Sequence, residues 1–126
     1  MTTTLRPVEP LQRGEGGALS RRYQVCVNGR PVGLVHLATD PERGPGVAQV
    51  RELRIQEADR HRGRGTVAAL AAEEIARDWG CGAITVTLPG DATPGLRLAR
   101  ALGYLPGGDP EATGTDGSGP LEKSLR

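Results

Sequence analysis

Alternating and short continuous apolar runs dominate the chain up to Ile55, and a helical spacing of apolar residues replaces them from Thr66. Thr4, Leu5 and Arg6 fit a first strand, while the Gly-rich stretch Arg13 to Ser20 has no period and is expected as a loop. Tyr23 to Val27 and Val32 to Ala38 are β-rich runs on either side of Asn28-Gly29. Both residues of that pair tolerate positive φ, so an antiparallel hairpin is expected. Asp40 to Gly46 contains Pro41, Gly44 and Pro45 and reads as a turn. Val47, Val50, Leu53 and Ile55 then mark a further strand. Val50 and Leu53 are three apart, which breaks strict alternation and predicts a β-bulge between them. From Thr66 to Trp79 the residues Val67, Leu70, Ala71, Ile75 and Trp79 recur mostly three or four apart, and Gly80 ends the run, predicting an amphipathic helix. Glu73 and Arg77, spaced i, i+4, are expected to pair on its solvent face. Ala83 to Leu88 reads as a strand, and Thr93-Pro94 as the cap and first turn of a short helix carrying Leu98 and Leu102 and stopped by Gly103. Pro106 to Pro120 cannot bury enough apolar surface to order itself, and Leu121 to Leu125 offers a closing strand. The result is an α+β layout: a mostly antiparallel mixed sheet with a central β-loop-α-β step. One domain spanning 1–126 is expected, with its core at about 22–104 and with 1–20 and 106–120 poorly ordered.

The chemistry concentrates at the start of the helix, where Arg60, His61, Arg62, Gly63, Arg64 and Gly65 follow one another. A helix start leaves about four backbone N–H groups without intrahelical acceptors and carries roughly half a positive charge. Anions bind at such ends. Gly63 and Gly65 remove side chains that would keep a diphosphate from those amides, while Arg60, Arg62 and Arg64 add fixed positive charge. A diphosphate-bearing cofactor is the expected ligand.

Charge and composition narrow the alternatives. Sixteen basic residues oppose fifteen acidic ones, for a net charge of +1, so no global field favours a polyanion such as duplex DNA. All the basic residues except Lys123 are arginines, which reads as coding bias rather than as selection for phosphate grip. An RNA-binding reading of the Arg-Gly cluster lacks stacking aromatics, since the chain has only Tyr23, Tyr104 and Trp79. A nucleotide P-loop fails because no Gly-Lys-Ser/Thr follows the glycines. Gly63-x-Gly65-x-x-Ala68 has the spacing of a dinucleotide fingerprint, but Gln56 to Arg62 separates it from the strand, where that fingerprint needs a tight turn. Cys26 and Cys81 lack metal spacing and are expected as buried fillers in a reducing compartment, and no metal site is expected. The N-terminal residues lack a signal-peptide layout, and no apolar run approaches the ~18 residues needed to span a membrane. A cytoplasmic protein without membrane contact is expected, and open sheet edges leave room for a homodimer.

Strand, glycine loop, Ala-rich helix and strand, with Arg60-x-x-Gly63-x-Gly65 at the junction and Leu102-Gly103-Tyr104 at the helix exit, resemble the GNAT superfamily of acyl-CoA-dependent N-acyltransferases over about Tyr23 to Tyr104. The resemblance implies a GNAT-type α/β sandwich with acetyl-CoA or coenzyme A as cofactor and an amine as acyl acceptor. It places the cofactor pyrophosphate on the loop and helix start, Arg60, His61, Arg62, Gly63, Arg64, Gly65 and Thr66, and the pantetheine arm along Leu53, Arg54 and Ile55. The amine would attack the thioester carbonyl directly, so the protein must position two ligands, polarise a carbonyl and manage one proton. Glu52 is the first choice for the proton, the alternative being a solvent-facing partner for Arg51, Arg54 or a cross-strand Arg; His36, mid-strand, reads more readily as a core or edge residue, and His61 as a phosphate or solvent contact. Two family features are missing: Ala99 stands where many relatives carry a Tyr general acid, and Ala92 where they carry Asn, although Asp91 lies beside it. A thiolate is a tolerable leaving group at neutral pH, so the missing Tyr is expected to cost one or two powers of ten rather than all activity. Relatives also place two helices between the first strands, where Gln12 to Ser20 has room for little more than a turn, so the acceptor groove is expected to be open. The competing reading is an acyl-CoA-binding or interaction module without turnover.

Overall fold

The computed structural model describes residues 3–39, 46–56, 63–88, 98–106 and 119–125. The Asp40–Pro45 turn, most of the 106–120 segment and the Thr93-Pro94 cap lie outside them. The strands are β1 (Thr3–Pro7), β2 (Gln12–Arg13), β3 (Leu19–Val27), β4 (Arg30–Thr39), β5 (Val47–Ile55), β6 (Ala83–Leu88), β7 (Leu105–Pro106) and β8 (Gly119–Ser124). Helix α1 (Arg64–Asp78) joins β5 to β6. The strands form one sheet in the order β1-β3-β4-β5-β6-β8-β7, with β2 on β3. Among the described residues only β5 and β6 pair in parallel, as a β-α-β connection requires. The mixed, mostly antiparallel sheet foreseen from the pattern is therefore present.

Asn28 and Gly29 take φ values of 51° and 83°, and β3 and β4 run back on each other from that turn. The expected bulge is also present. His36 lies opposite Glu52 while Leu37 lies opposite Val50, so Arg51 is the extra residue on β5. The insertion keeps both Val50 and Leu53 on the side of the sheet that α1 covers. There Leu53 and Ile55 pack against Val25, Val27, Val32, Val35, Ala68 and Ala72, and Val50 packs with Leu37, Ala48, Ala76 and Ile84.

Three expectations change. The Gly-rich stretch from Arg13 to Ser20 is not featureless: β2 pairs with the start of β3, and a 3₁₀ turn at Glu15–Gly17 is closed by Gly14 N–H donating to the Ala18 carbonyl at 2.8 Å. The helix starts at Arg64 rather than Thr66, because Gly63 serves as its cap. Glu73 does not face solvent. It is 1% exposed, accepts the Tyr104 hydroxyl at 3.1 Å and is ion-paired with Lys123 at 2.9 Å. Arg77 pairs instead with Glu74 and donates from Nε to the Leu125 carbonyl. A buried carboxylate needs a partner for each oxygen, and β8 and the helix exit supply both.

The expected closing strand is β8. It pairs along the whole of β6 and separates it from β7. Leu121 and Leu125 join Ala76, Ile84 and Tyr104 in the core. Cys26 and Cys81 are free thiols and buried, as expected of fillers.

Candidate active site

The glycine loop meets α1 at Gly63, which has φ of 76° and caps the helix without a side-chain hydrogen bond. The first intrahelical bond runs from Val67 N–H to the Gly63 carbonyl at 3.2 Å, so the first-turn amides precede the hydrogen-bonded ladder. No acidic residue occupies that first turn, so no carboxylate competes for an anion there. A Cβ on Gly63 would meet nothing within 4 Å, whereas one on Gly65 would meet Leu98 Cδ2 at 3.3 Å. Gly63 thus keeps the approach open, and Gly65 lets α1 pack closely on the helical residues 98–101. Arg64 is 8% exposed and buried at the helix start rather than reaching into solvent, and Thr66 is half-buried beside it. Arg60, His61 and Arg62 lie outside the described residues.

The second element of the site is the parting of β5 from β6. Their parallel pairing runs from Val47↔Ala83 to Val50↔Val86 and stops, although β5 continues to Ile55 alongside β4 and β6 continues to Leu88 alongside β8. The strands separate at the Arg51 bulge. A bulge adds local twist, which turns the rest of β5 away from its parallel neighbour. The cleft so formed lies beside the backbone of 51–55, the stretch expected to hold the pantetheine arm. Leu53 and Ile55 point into the core beneath α1, leaving backbone groups rather than those side chains for a ligand.

The opposite face of the sheet is polar at this point. Arg22 of β3, His36 of β4 and Glu52 of β5 stand directly across from one another. Residues so paired have Cβ atoms about 5 Å apart on the same face. Glu52 is ion-paired with Arg54 Nη2 at 2.8 Å, and Arg22 with Glu9 at 3.6 Å. The bulge residue Arg51 donates from Nε to Gln49 Oε1 at 3.3 Å. The His36 imidazole is held below its ordinary value, first by burial and then by the Arg22 and Arg51 charges, with Glu9 and Glu52 opposing. Its surroundings on balance favour the neutral ring. Sequence reasoning set His36 aside as a core or edge residue; its place in this row depends on the β4–β5 register and could not be read from spacing.

Ala99 is buried among apolar side chains and brings no hydroxyl to the site. The chain has two tyrosines and neither replaces it. Tyr23 is buried, and Tyr104 donates its hydroxyl to Glu73, with burial and the Glu73 charge pushing the phenol well above its ordinary value. Ala92 and Asp91 lie outside the described residues. Among the described residues no cluster of His, Cys, Asp and Glu could hold a metal ion, and no helix is long and apolar enough to cross a membrane.

The fold thus joins a sheet split beside a bulge to a glycine-capped helix start, the two features that the GNAT resemblance calls for, and comparison with known proteins bears on the family directly. The family model described as the acetyltransferase (GNAT) family matches residues 5–104. The chain belongs to that family. No curated protein sequence matches it. Among solved structures, it is similar to a putative acyl-CoA N-acyltransferase from Klebsiella pneumoniae, at TM-score 0.75 and 16% identity, covering 99% of both chains. It is similar to a Bacillus subtilis acetyltransferase in complex with CoA, at TM-score 0.71 and 16% identity, covering 85% of this chain and 78% of that one. It is similar to the PaiA N-acetyltransferase of Thermoplasma acidophilum in complex with coenzyme A, at TM-score 0.68 and 14% identity, covering 83% of this chain. The chain spans 60% of that enzyme and 31% of a tandem GNAT protein from the clavulanic acid biosynthesis pathway, which it matches at TM-score 0.64 and 23% identity.

Proposed function

We propose that the protein is an N-acetyltransferase that moves an acetyl group from acetyl-CoA to a primary amine by direct attack of the amine on the thioester. The observation that carries this reading is the parting of β5 and β6 at the Arg51 bulge, which opens a backbone-lined cleft in the same molecule as the Gly63-capped helix start. The amides at 62–66 would hold the pyrophosphate, with Arg60, His61, Arg62 and Arg64 supplying positive charge, and the backbone of Leu53, Arg54 and Ile55 would hold the pantetheine arm. Bound there, the thioester supplies an activated acyl group. The chain itself orients the amine, keeps the arm in register and receives the amine's proton on the polar row that includes Glu52. With both tyrosines buried, the departing thiolate takes its proton from water. The stretch between β1 and β3 holds only β2 and a 3₁₀ turn, so the acceptor side is open, which suits an exposed amine on a peptide or protein better than a small enclosed one. We place the protein in the cytoplasm.

Ala99 supports one other reading, an acyl-CoA-binding module without turnover. Titration calorimetry of acetyl-CoA and coenzyme A, followed by chromatographic detection of released coenzyme A with tyramine, spermidine, L-glutamate and a lysine-containing peptide, separates the two. Micromolar binding with amine-dependent release supports the enzyme. Binding without release supports the module, and no binding removes both.

A further inference from the structure

We infer that His36 is the group that takes the proton from the attacking amine, with Glu52 a positioning residue that steadies the imidazolium across the β4–β5 pair. This rests on the acetyltransferase reading above and deepens it. The geometry comes first. His36 is the last residue of β4 paired before the register shift, and its partner is Glu52, immediately beside the bulge at which β5 leaves β6. It therefore shares a face of the sheet with Glu52 at the level where β5 parts from β6, one strand away from the cleft itself. Glu52 already holds the Arg54 guanidinium at 2.8 Å, so one carboxylate oxygen is committed to an ion pair. The half-buried imidazole stands opposite that carboxylate at cross-strand distance, a placement from which an acid can steady an imidazolium by its charge rather than by a hydrogen bond.

The chemistry balances without another reactant. The amine nitrogen forms a bond to the thioester carbonyl carbon, and the carbon–sulfur bond breaks with its electron pair going to sulfur. As the nitrogen–carbon bond forms, the nitrogen becomes acidic, and its proton passes to His36 directly or through one water. Glu52 then lies opposite the new imidazolium, and the proton leaves to solvent. The charged groups acting on His36 are Arg22 from β3, Arg51 and Glu52 from β5, and Glu9 from the segment after β1. Arg22 and Arg51 favour the neutral ring; Glu9 and Glu52 favour the charged one.

The test joins two independent readouts on the full chain. The sequence has two histidines, so the imidazole resonances can be followed by NMR and that of His36 assigned with the His36→Gln variant. Wild-type His36 should titrate below the ordinary histidine value, Arg22→Gln should raise it and Glu52→Gln should lower it further. With acetyl-CoA and the best amine from the panel above, the acid limb of kcat should move in the same directions. His36→Gln should lose the limb and about 100-fold in kcat, with coenzyme A affinity unchanged by calorimetry. A limb that stays fixed while the NMR titration moves, or a His36→Gln enzyme with full kcat, overturns the role of His36 and leaves the acetyltransferase reading standing. Coenzyme A binding without turnover on any amine overturns both.

Discussion

Gly63 and Gly33 each meet a backbone demand that a larger residue would meet only at a cost. At Gly63 the left-handed φ puts the chain on course into α1, and a Cβ there would meet only open space beside the helix start. Gly63→Ala should cost about 1–2 kcal/mol of stability from φ alone while retaining coenzyme A binding. Gly63→Glu adds a negative charge where a diphosphate is expected and should weaken binding by about 100-fold or more, read by the same calorimetry. Gly33, which the sequence reading passed over inside an ordinary β run, has a different reason. A Cβ there would collide with the Arg54 carbonyl oxygen, so Gly33→Ala forces β4 away from β5 beside the cleft. The expected result is a loss of about 2 kcal/mol or more in urea unfolding. Glu52→Gln removes charge without changing shape and should lower kcat about tenfold or more with coenzyme A affinity unchanged, measured by steady-state kinetics and calorimetry.

Among the elements, α1 and β8 share one buried carboxylate beside their apolar packing and the Arg77–Leu125 hydrogen bond. Glu73 joins the Tyr104 hydroxyl on one oxygen to the Lys123 ammonium on the other, tying helix, helix exit and β8 together. Tyr104→Phe removes a hydrogen bond to a charged group and should cost about 1.5–3 kcal/mol. The pH dependence has a definite sign. The folded protein holds the Tyr104 proton more tightly than the unfolded chain, whose phenol ionises near pH 10, so the contribution is complete below pH 10 and is lost as pH rises above it. Tyr23 is shifted in the same direction by burial, so chemical unfolding across pH 8 to 11 should show a shallower alkaline loss in Tyr104→Phe, not its disappearance. Elements governed by local rules were legible in the sequence: Asn28-Gly29 set the hairpin, the Val50–Leu53 spacing gave away the bulge, and the apolar spacing gave the helix, though it began at Arg64 behind its Gly63 cap rather than at Thr66. Glu73 was not, because Tyr104 and Lys123 are far from it along the chain and a buried acid at a helical position looks like half of a surface ion pair. The same limit hid the Arg22–His36–Glu52 row, which exists only once three strands are in register.

Across the molecule, both thiols lie inside and the polar row lies outside. Cys26 and Cys81 should react with an aromatic disulfide reagent only as fast as the chain opens, and both should react at once in urea. The order of the sheet adds a constraint of time. β8 occupies an interior place between β6 and β7, although its residues come after both in the chain. During synthesis the outer edge of β6 therefore waits, unfilled, until 119–124 have emerged, and Glu73 waits with it for Lys123. A nascent chain stalled before Gly119 would carry an unpaired strand edge beside an apolar core, the kind of surface that chaperones cover and that otherwise aggregates. The parting of β5 from β6 would thus become firm only once 119–124 have joined the sheet, so a ligand that needs that cleft should find it only after β8 has been made.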